Sequence, residues 1–501
     1  MSHWPDTDIG QAAGADDTED KLKAVTRTLI EKYSCPGAVA SAHRNNQPLQ
    51  SALMMRYHQR ALLLNPVLTK PINISIPFHI DSASSIPERS TVRDNMGALS
   101  GEERKIIVQN SLKTTEFEIL NCSEAEFEDV AECFSGLVVK TELKVKKSDS
   151  EQPIHLSFFV KRYSPNGGFR EDLFKTTRLF YKETHLYNRF LNKLDEFIGG
   201  SKIFAKCYLA KADELVVLED LGSRGFTKQR PPLDLEHVEA VLGCMAKFHA
   251  ASVAYEECHG RLDTLLPDVL FEPLFLTDPA HPAFHHLCVG INATEGILET
   301  YFSHYEASIC EKALALMRSI PGKLHPSTSS RNVLVHSNVN ANSVMFAHDI
   351  DGRVEDVRMV DFKYARYCPP AFDVMLFIYT STSHAIREID MESLLIYYYN
   401  RFAHELTKAS IDIKSVMTWA DFKASISEEL PTVLALAAFY SHFHWIPADR
   451  LRTILVSRRE YEAFIKEDRS QLVLKIMTTD DHFRKHVIQA TTDLLEYVKN
   501  N

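Results

Sequence analysis

Apolar and polar positions follow no sustained period over residues 1–105. Polar stretches such as NNQPLQS and DSASSIPERSTVRDN are interrupted by two short segments, 20–33 (DKLKAVTRTLIEKY) and 51–64 (SALMMRYHQRALLL). Both space their apolar residues as a helix does. This predicts a largely disordered N-terminal extension with transient helices, too polar to offset the entropy of ordering. It is open to docking on the rest of the chain or on a protein partner.

From about residue 106 the pattern changes. GLVVKTELKVKK (136–147) and PIHLSFFVKRY (153–163) are rich in β-branched and aromatic residues and predict two strands joined by the turn SDSEQ. Residues 169–194 put Phe180, Glu183, Tyr187 and Leu194 along one face of a helix. ELVVLEDL (214–221) is a continuous apolar run closing in acids, as expected of a central strand. Beyond it the chain reads as mainly helical. In 233–255, Val238, Val241, Leu242, Met245, Phe248 and Ser252 keep the 3.6-residue period. LPTVLALAAFYSHF (430–443) stops short of the ~20 apolar residues a membrane-spanning helix needs, so it predicts a buried helix. Strands followed by helices predict an α+β fold. The expected organisation is an extension (1–105), a small β-rich region (106–218) and a large helical region (219–501).

At 501 residues and 45% hydrophobic content, the chain can bury a substantial core. A net charge of −11 argues against a nucleic-acid or anionic-membrane surface. Nine cysteines without a CxxC pair suit a reducing compartment, and the N-terminus lacks the regions of a signal peptide. The expected location is cytoplasmic.

The chemistry concentrates in VLVHSNVNANSVMF (333–346) and MVDFKYARYCPPAFD (359–373), which have the layout of a phosphotransferase catalytic loop and its metal-binding strand. That chemistry needs a carboxylate to take the hydroxyl proton, an amide five residues later, and a second carboxylate to hold Mg²⁺. Here the base position is Asn338, the amide position is Ser343, and the downstream acid is Asp361. An amide can orient a hydroxyl but cannot accept its proton. A lost general base lowers rates about 10²–10⁴-fold. A serine hydroxyl is a shorter and weaker Mg²⁺ ligand than an amide carbonyl.

With these motifs the chain resembles the ecdysteroid kinase-like, or CHK kinase-like, group of insects and nematodes, including the insect juvenile-hormone-inducible type. These are relatives of choline and aminoglycoside kinases. The family's loop reads approximately LVHGDLWVNNIMF and its metal strand LIDFQ. FFVKRY (158–163), LFYKETHLYNRFL (179–191), LVVLEDLGSRGF (215–226) and the helix 233–255 also match in order, over about 115–495. The resemblance implies a bilobal protein kinase-like fold. It implies that Lys161 holds phosphates, that Glu183, 22 residues later, orients it, and that Glu219 belongs to the cofactor-binding hinge. Asp361 and, weakly, Ser343 become the metal ligands, and ATP with Mg²⁺ the implied cofactors.

The segment that would cover the phosphates, CSEAEFEDVAECFSGLVV (122–139), departs from this pattern. It has one glycine, Gly136, and the acids Glu124, Glu126, Glu128, Asp129 and Glu132, which would repel a triphosphate. Asn340 also replaces the aromatic residue usual in the family's loop. His336 and Asp373 match positions that brace the loop, and His249 reads as packing. His281 and His285 have the i, i+4 spacing of a zinc pair, but Pro282 argues for a loop there. The leading expectation is a degenerate, pseudokinase-like protein that binds a small lipophilic molecule or a nucleotide between the lobes. Two alternatives stay open: an active ATP-dependent kinase of an ecdysteroid-type hydroxyl, and an interaction protein without a nucleotide site.

Overall fold

Ser100 opens the first helix by a reciprocal cap. Its hydroxyl accepts the Glu103 N–H while the Glu103 carboxylate accepts the Ser100 N–H. This helix, α1 (Gly101–Leu112), runs across the 105/106 boundary expected from sequence. The computed structural model describes residues 99–126, 137–163, 169–197 and 202–501. The expectations for 20–33 and 51–64, and for the acids Glu128, Asp129 and Glu132, fall outside these residues.

Strands β1 (Phe117–Glu126), β2 (Leu137–Lys147) and β3 (Ile154–Arg162) enter a five-stranded antiparallel sheet with β4 (Cys207–Lys211) and β5 (Leu215–Glu219), in the order β1-β2-β3-β5-β4. Side-chain alternation sorts the central strands. Val160, Leu215 and Val217 pack with Ile107 and Val108 of α1 on one face. Val216 and Leu218 point into the main core on the other. Lys161 lies opposite Val216 and so shares that inner face. The outer face is tied down by buried Glu103, which accepts from Arg162 and Lys211, each at 2.6 Å. Glu124 of β1 pairs with Arg104 of α1 at 3.5 Å.

The helix expected over 169–194 is interrupted. Arg178 is left-handed (φ 51°), with its guanidinium 3.9 Å above the Tyr181 ring. The break separates α2 (Phe169–Thr177) from α3 (Leu179–Leu186), which widens into a π-turn over Tyr187–Leu191. Phe180, Glu183, Tyr187 and Leu194 are nonetheless all buried.

The C-terminal part begins with α4 (Leu235–His259), capped by Asp234. It is followed by α5 (Pro282–Tyr301) and α6 (Ala307–Arg318). Pro282 does not make a loop: it occupies the first turn of α5, where its missing N–H is no loss, and His281 Nδ1 accepts the Ala283 N–H. Two short ladders follow, β6 (Val333–Val335) with β9 (Arg366–Cys368), and β7 (Val344–His348) with β8 (Val354–Met359). The longer helices that follow are α7 (Pro370–Ser381), α8 (His384–Lys408), α9 (Trp419–His444), α10 (Ala448–Val456), α11 (Ser470–Thr479) and α12 (Asp481–Asn500), with short helical turns between them. The apolar run 430–443 is buried within α9, as its pattern predicts. Among the described residues no helix is long and apolar enough to cross a membrane. The whole is a mixed α+β arrangement, an antiparallel sheet followed by a helical region.

Candidate ligand cleft

Lys161 Nζ donates to Glu183 Oε2 at 2.8 Å, to Glu183 Oε1 at 3.1 Å and to Asp361 Oδ1 at 3.0 Å. Each partner arrives for a local reason. The pleat of β3 turns Lys161 inward, α3 presents Glu183 from its buried face, and Asp361 ends the β8 segment in the left-handed conformation (φ 72°), which aspartate tolerates better than most residues. The second Asp361 oxygen accepts from Lys363, on the single helical turn that follows. Burial opposes ionisation of Asp361, but the Lys161 and Lys363 ammonium groups hold it well below the usual carboxylate range. Burial pushes Glu183 up, and Asp361 adds to this against the pull of Lys161. Both ammonium groups are therefore already engaged by Glu183 and Asp361 within the cluster.

The loop after β6 is anchored from below. The His336 and Ser337 N–H groups donate to the two oxygens of Asp373, each at 2.7 Å. His249 Nε2 lies 3.3 Å from the same carboxylate, and His336 Nε2 lies 2.8 Å from the Val360 carbonyl. Ser337 stands at φ 66° where the family motif has glycine; its hydroxyl accepts from Arg366 Nε at 3.1 Å. Asn340, in place of the family's aromatic residue, knits the loop: its amide donates to the Asn338 carbonyl at 2.8 Å and its side-chain oxygen accepts the Asn342 N–H at 2.8 Å. The Ser343 hydroxyl is spent internally. It accepts the Asn340 N–H at 2.9 Å and lies 3.0 Å from the Asn338 carbonyl, with the residue 3% exposed.

Above this loop lies a cavity of about 140 Å³. Asn338, Asn340, Asn342, Ser343, Asp361 and Lys363 form its polar floor, and Leu173, Phe174, Leu274, Tyr440, Phe443 and Leu451 are among its apolar walls. Two wall histidines stay neutral: burial brings His444 down to about 4, and burial together with Arg469 lowers His286 well below its ordinary value. Arg469 itself is fully buried behind the wall, among the rings of Phe439, Phe443 and Phe464, with its Nη2 3.2 Å from His286 Nδ1. Nothing in the 458–470 sequence pattern marked that position.

Glu219 does not join this group. It has the pleat parity of Leu215 and Val217, three strand positions or roughly 10 Å from the register of Lys161. Its carboxylate pairs with Arg224. The arrangement also does not suit Mg²⁺, which needs oxygen ligands free to coordinate. Both oxygens of Asp361 are held by ammonium groups and the Ser343 hydroxyl is engaged within the loop. Among the described residues no three His, Cys, Asp or Glu side chains gather in a metal-holding group. Lys363 was overlooked in the sequence, although its signal was present: DFK stands where the family reads DFQ.

The ecdysteroid kinase-like family profile matches residues 130–411, more than half of the chain. Among solved structures the chain is similar to ethanolamine kinase from Plasmodium vivax, at 12% identity over 74% of this chain and 83% of that one, with a TM-score of 0.31. It is also similar to the ADP-bound aminoglycoside phosphotransferase APH(2″)-Ib, at 13% identity over 78% and 96%, with a TM-score of 0.31. No curated protein sequence matches it.

Proposed function

The chain belongs to the ecdysteroid kinase-like family, and from that premise we propose that it is a pseudokinase-like member that binds a ligand in the cleft beside Asp361. The observation that carries this reading is Asn338 at the base position, lining the cavity as a neutral amide above a loop whose Ser343 hydroxyl is already engaged. A group that cannot take a proton removes general-base catalysis while keeping the ability to hold a hydroxyl. The mostly apolar walls with an amide floor favour a small lipophilic molecule bearing hydrogen-bonding oxygens. A nucleotide is the second candidate ligand. The balanced Lys161, Lys363, Glu183 and Asp361 charges weigh against strong polyphosphate binding.

A second reading, an active ATP-dependent small-molecule kinase, draws on one observation: Lys161, Glu183 and Asp361 stay within contact of one another. In the third, the protein acts in the cytoplasm as an interaction protein without a nucleotide site, engaging a partner through the pocket or residues 1–105.

Turnover of a steroid or other small alcohol with radiolabelled ATP separates these readings. The expected result is little or no transfer by the wild type, partial recovery in Asn338→Asp, and a more than additive gain when Ser343→Asn is added in a Lys363→Gln background, where Asp361 is open to the ion, since base and metal act on one transition state. Wild-type turnover of about 1 s⁻¹ or more, the kinase range, would establish the active enzyme instead. Failure of every variant to bind nucleotide or small alcohol would favour the interaction protein.

A further inference from the structure

Among the described residues Asp361 is the one carboxylate lining the cavity, and both of its oxygens already have a cationic partner. Oδ1 accepts from Lys161 at 3.0 Å and Oδ2 from Lys363. We propose that Lys363 is a tethered cation standing in for the metal ion, so that the cleft takes its ligand without a divalent ion.

The geometry is short-range and built in. Lys363 lies two residues beyond Asp361 on the Phe362–Tyr364 turn, is 5% exposed, and extends its ammonium 5.3 Å from the centroid of the Tyr364 ring. Its side chain folds back over the Asp361 carboxylate and lines the cavity floor. A divalent ion entering here would meet one carboxylate flanked by two ammonium groups within contact distance, where like charges repel most strongly. The second ligand position offers it nothing, because the Ser343 hydroxyl is turned into the loop. A lysine ammonium supplies one positive charge and three N–H donors. After the bond to Asp361, donors remain for an oxygen of a bound hydroxyl, carbonyl or phosphate. The substitution of one positive charge for two also suits a ligand of low charge better than a polyphosphate. This concerns the ion alone and goes beyond the proposed function. It holds whether or not transfer survives, and its test fails separately from the turnover assay.

The probe is Mn²⁺, followed by the loss of its free paramagnetic resonance signal on titration into the full-length protein, with and without ADP. Melting temperatures in EDTA and in millimolar Mg²⁺ are recorded alongside. The wild type is expected to bind no Mn²⁺ that depends on Asp361 and to melt alike in both buffers. Lys363→Gln, the residue type of the family motif, is expected to gain Mn²⁺ affinity by about tenfold or more, and Lys363→Gln/Asp361→Asn to lose it again. Lys363→Met, of similar length and uncharged, serves as the second variant, with circular dichroism confirming that both are folded. One Mn²⁺ bound per wild-type chain and abolished by Asp361→Asn would overturn the proposal, and that arm requires no Lys363 variant. Folded Lys363→Gln/Ser343→Asn and Lys363→Met/Ser343→Asn that gain no Mn²⁺ binding would overturn it as well, because both obstacles to the ion are then removed.

Discussion

Lys161 and Glu183 meet at 2.8 Å with each side chain only 2% exposed, so neither charge has water to fall back on. Removing one partner of such a pair strands the other. Lys161→Met leaves both Glu183 and Asp361 without their shared ammonium, and the expected loss is about 3–5 kcal/mol of unfolding free energy. Urea unfolding monitored by circular dichroism checks this. A midpoint unchanged from wild type would mean that the two carboxylates rearrange to water or to Lys363.

Glu103 sets a pH dependence of known sign. Burial alone would raise its pKa, but hydrogen bonds from Lys211, the Ser100 backbone and Arg162 lower it from 4.5 to about 2. Between these values the unfolded chain binds more protons, so stability rises with pH. The contribution is fully present above about pH 4.5 and is lost as pH falls toward 2. It is on the order of 3 kcal/mol. Unfolding free energies measured from pH 5 down to the acid limit should show this slope, and Glu103→Gln should flatten it while lowering stability at neutral pH. A parallel curve for the variant would remove Glu103 as its source.

Gly290 brings α5 against α9. A methyl group placed there would fall 2.0 Å from Phe439 Cε2, a distance no packed carbon tolerates. Gly290→Ala gains about 0.5–1 kcal/mol of helix preference but forces the ring to move, and overpacking of this kind costs about 1–3 kcal/mol. A net destabilisation is expected by thermal melting, relieved in Gly290→Ala/Phe439→Leu. Because Phe443, one turn along α9, lines the cavity, ligand affinity should fall with it.

Periodicity alone marked the strands 136–147 and 153–163, the helix 233–255 and the buried run 430–443, because each reports a local repeat against a single apolar surface. Residue type and spacing singled out Asn338, Ser343 and Asp361, and the family resemblance was needed to add Lys161 and Glu183. Tertiary structure decided what those residues touch. The pleat turned Lys161 toward Asp361, 200 residues away, and Glu219 toward the opposite face. Loop closure spent the Ser343 hydroxyl inside the backbone. The cavity walls come from α2, α3, α5, α9, α10 and the helical segment 458–467, segments with no sequence relation to the motif beneath them. The local breaks were also hidden: Arg178 and Pro282 sit in stretches whose apolar period alone does not show where a helix stops or starts. Lys363 combines both cases. Its identity is written two residues from the acid, but only the left-handed turn at Asp361 folds its ammonium back onto that carboxylate.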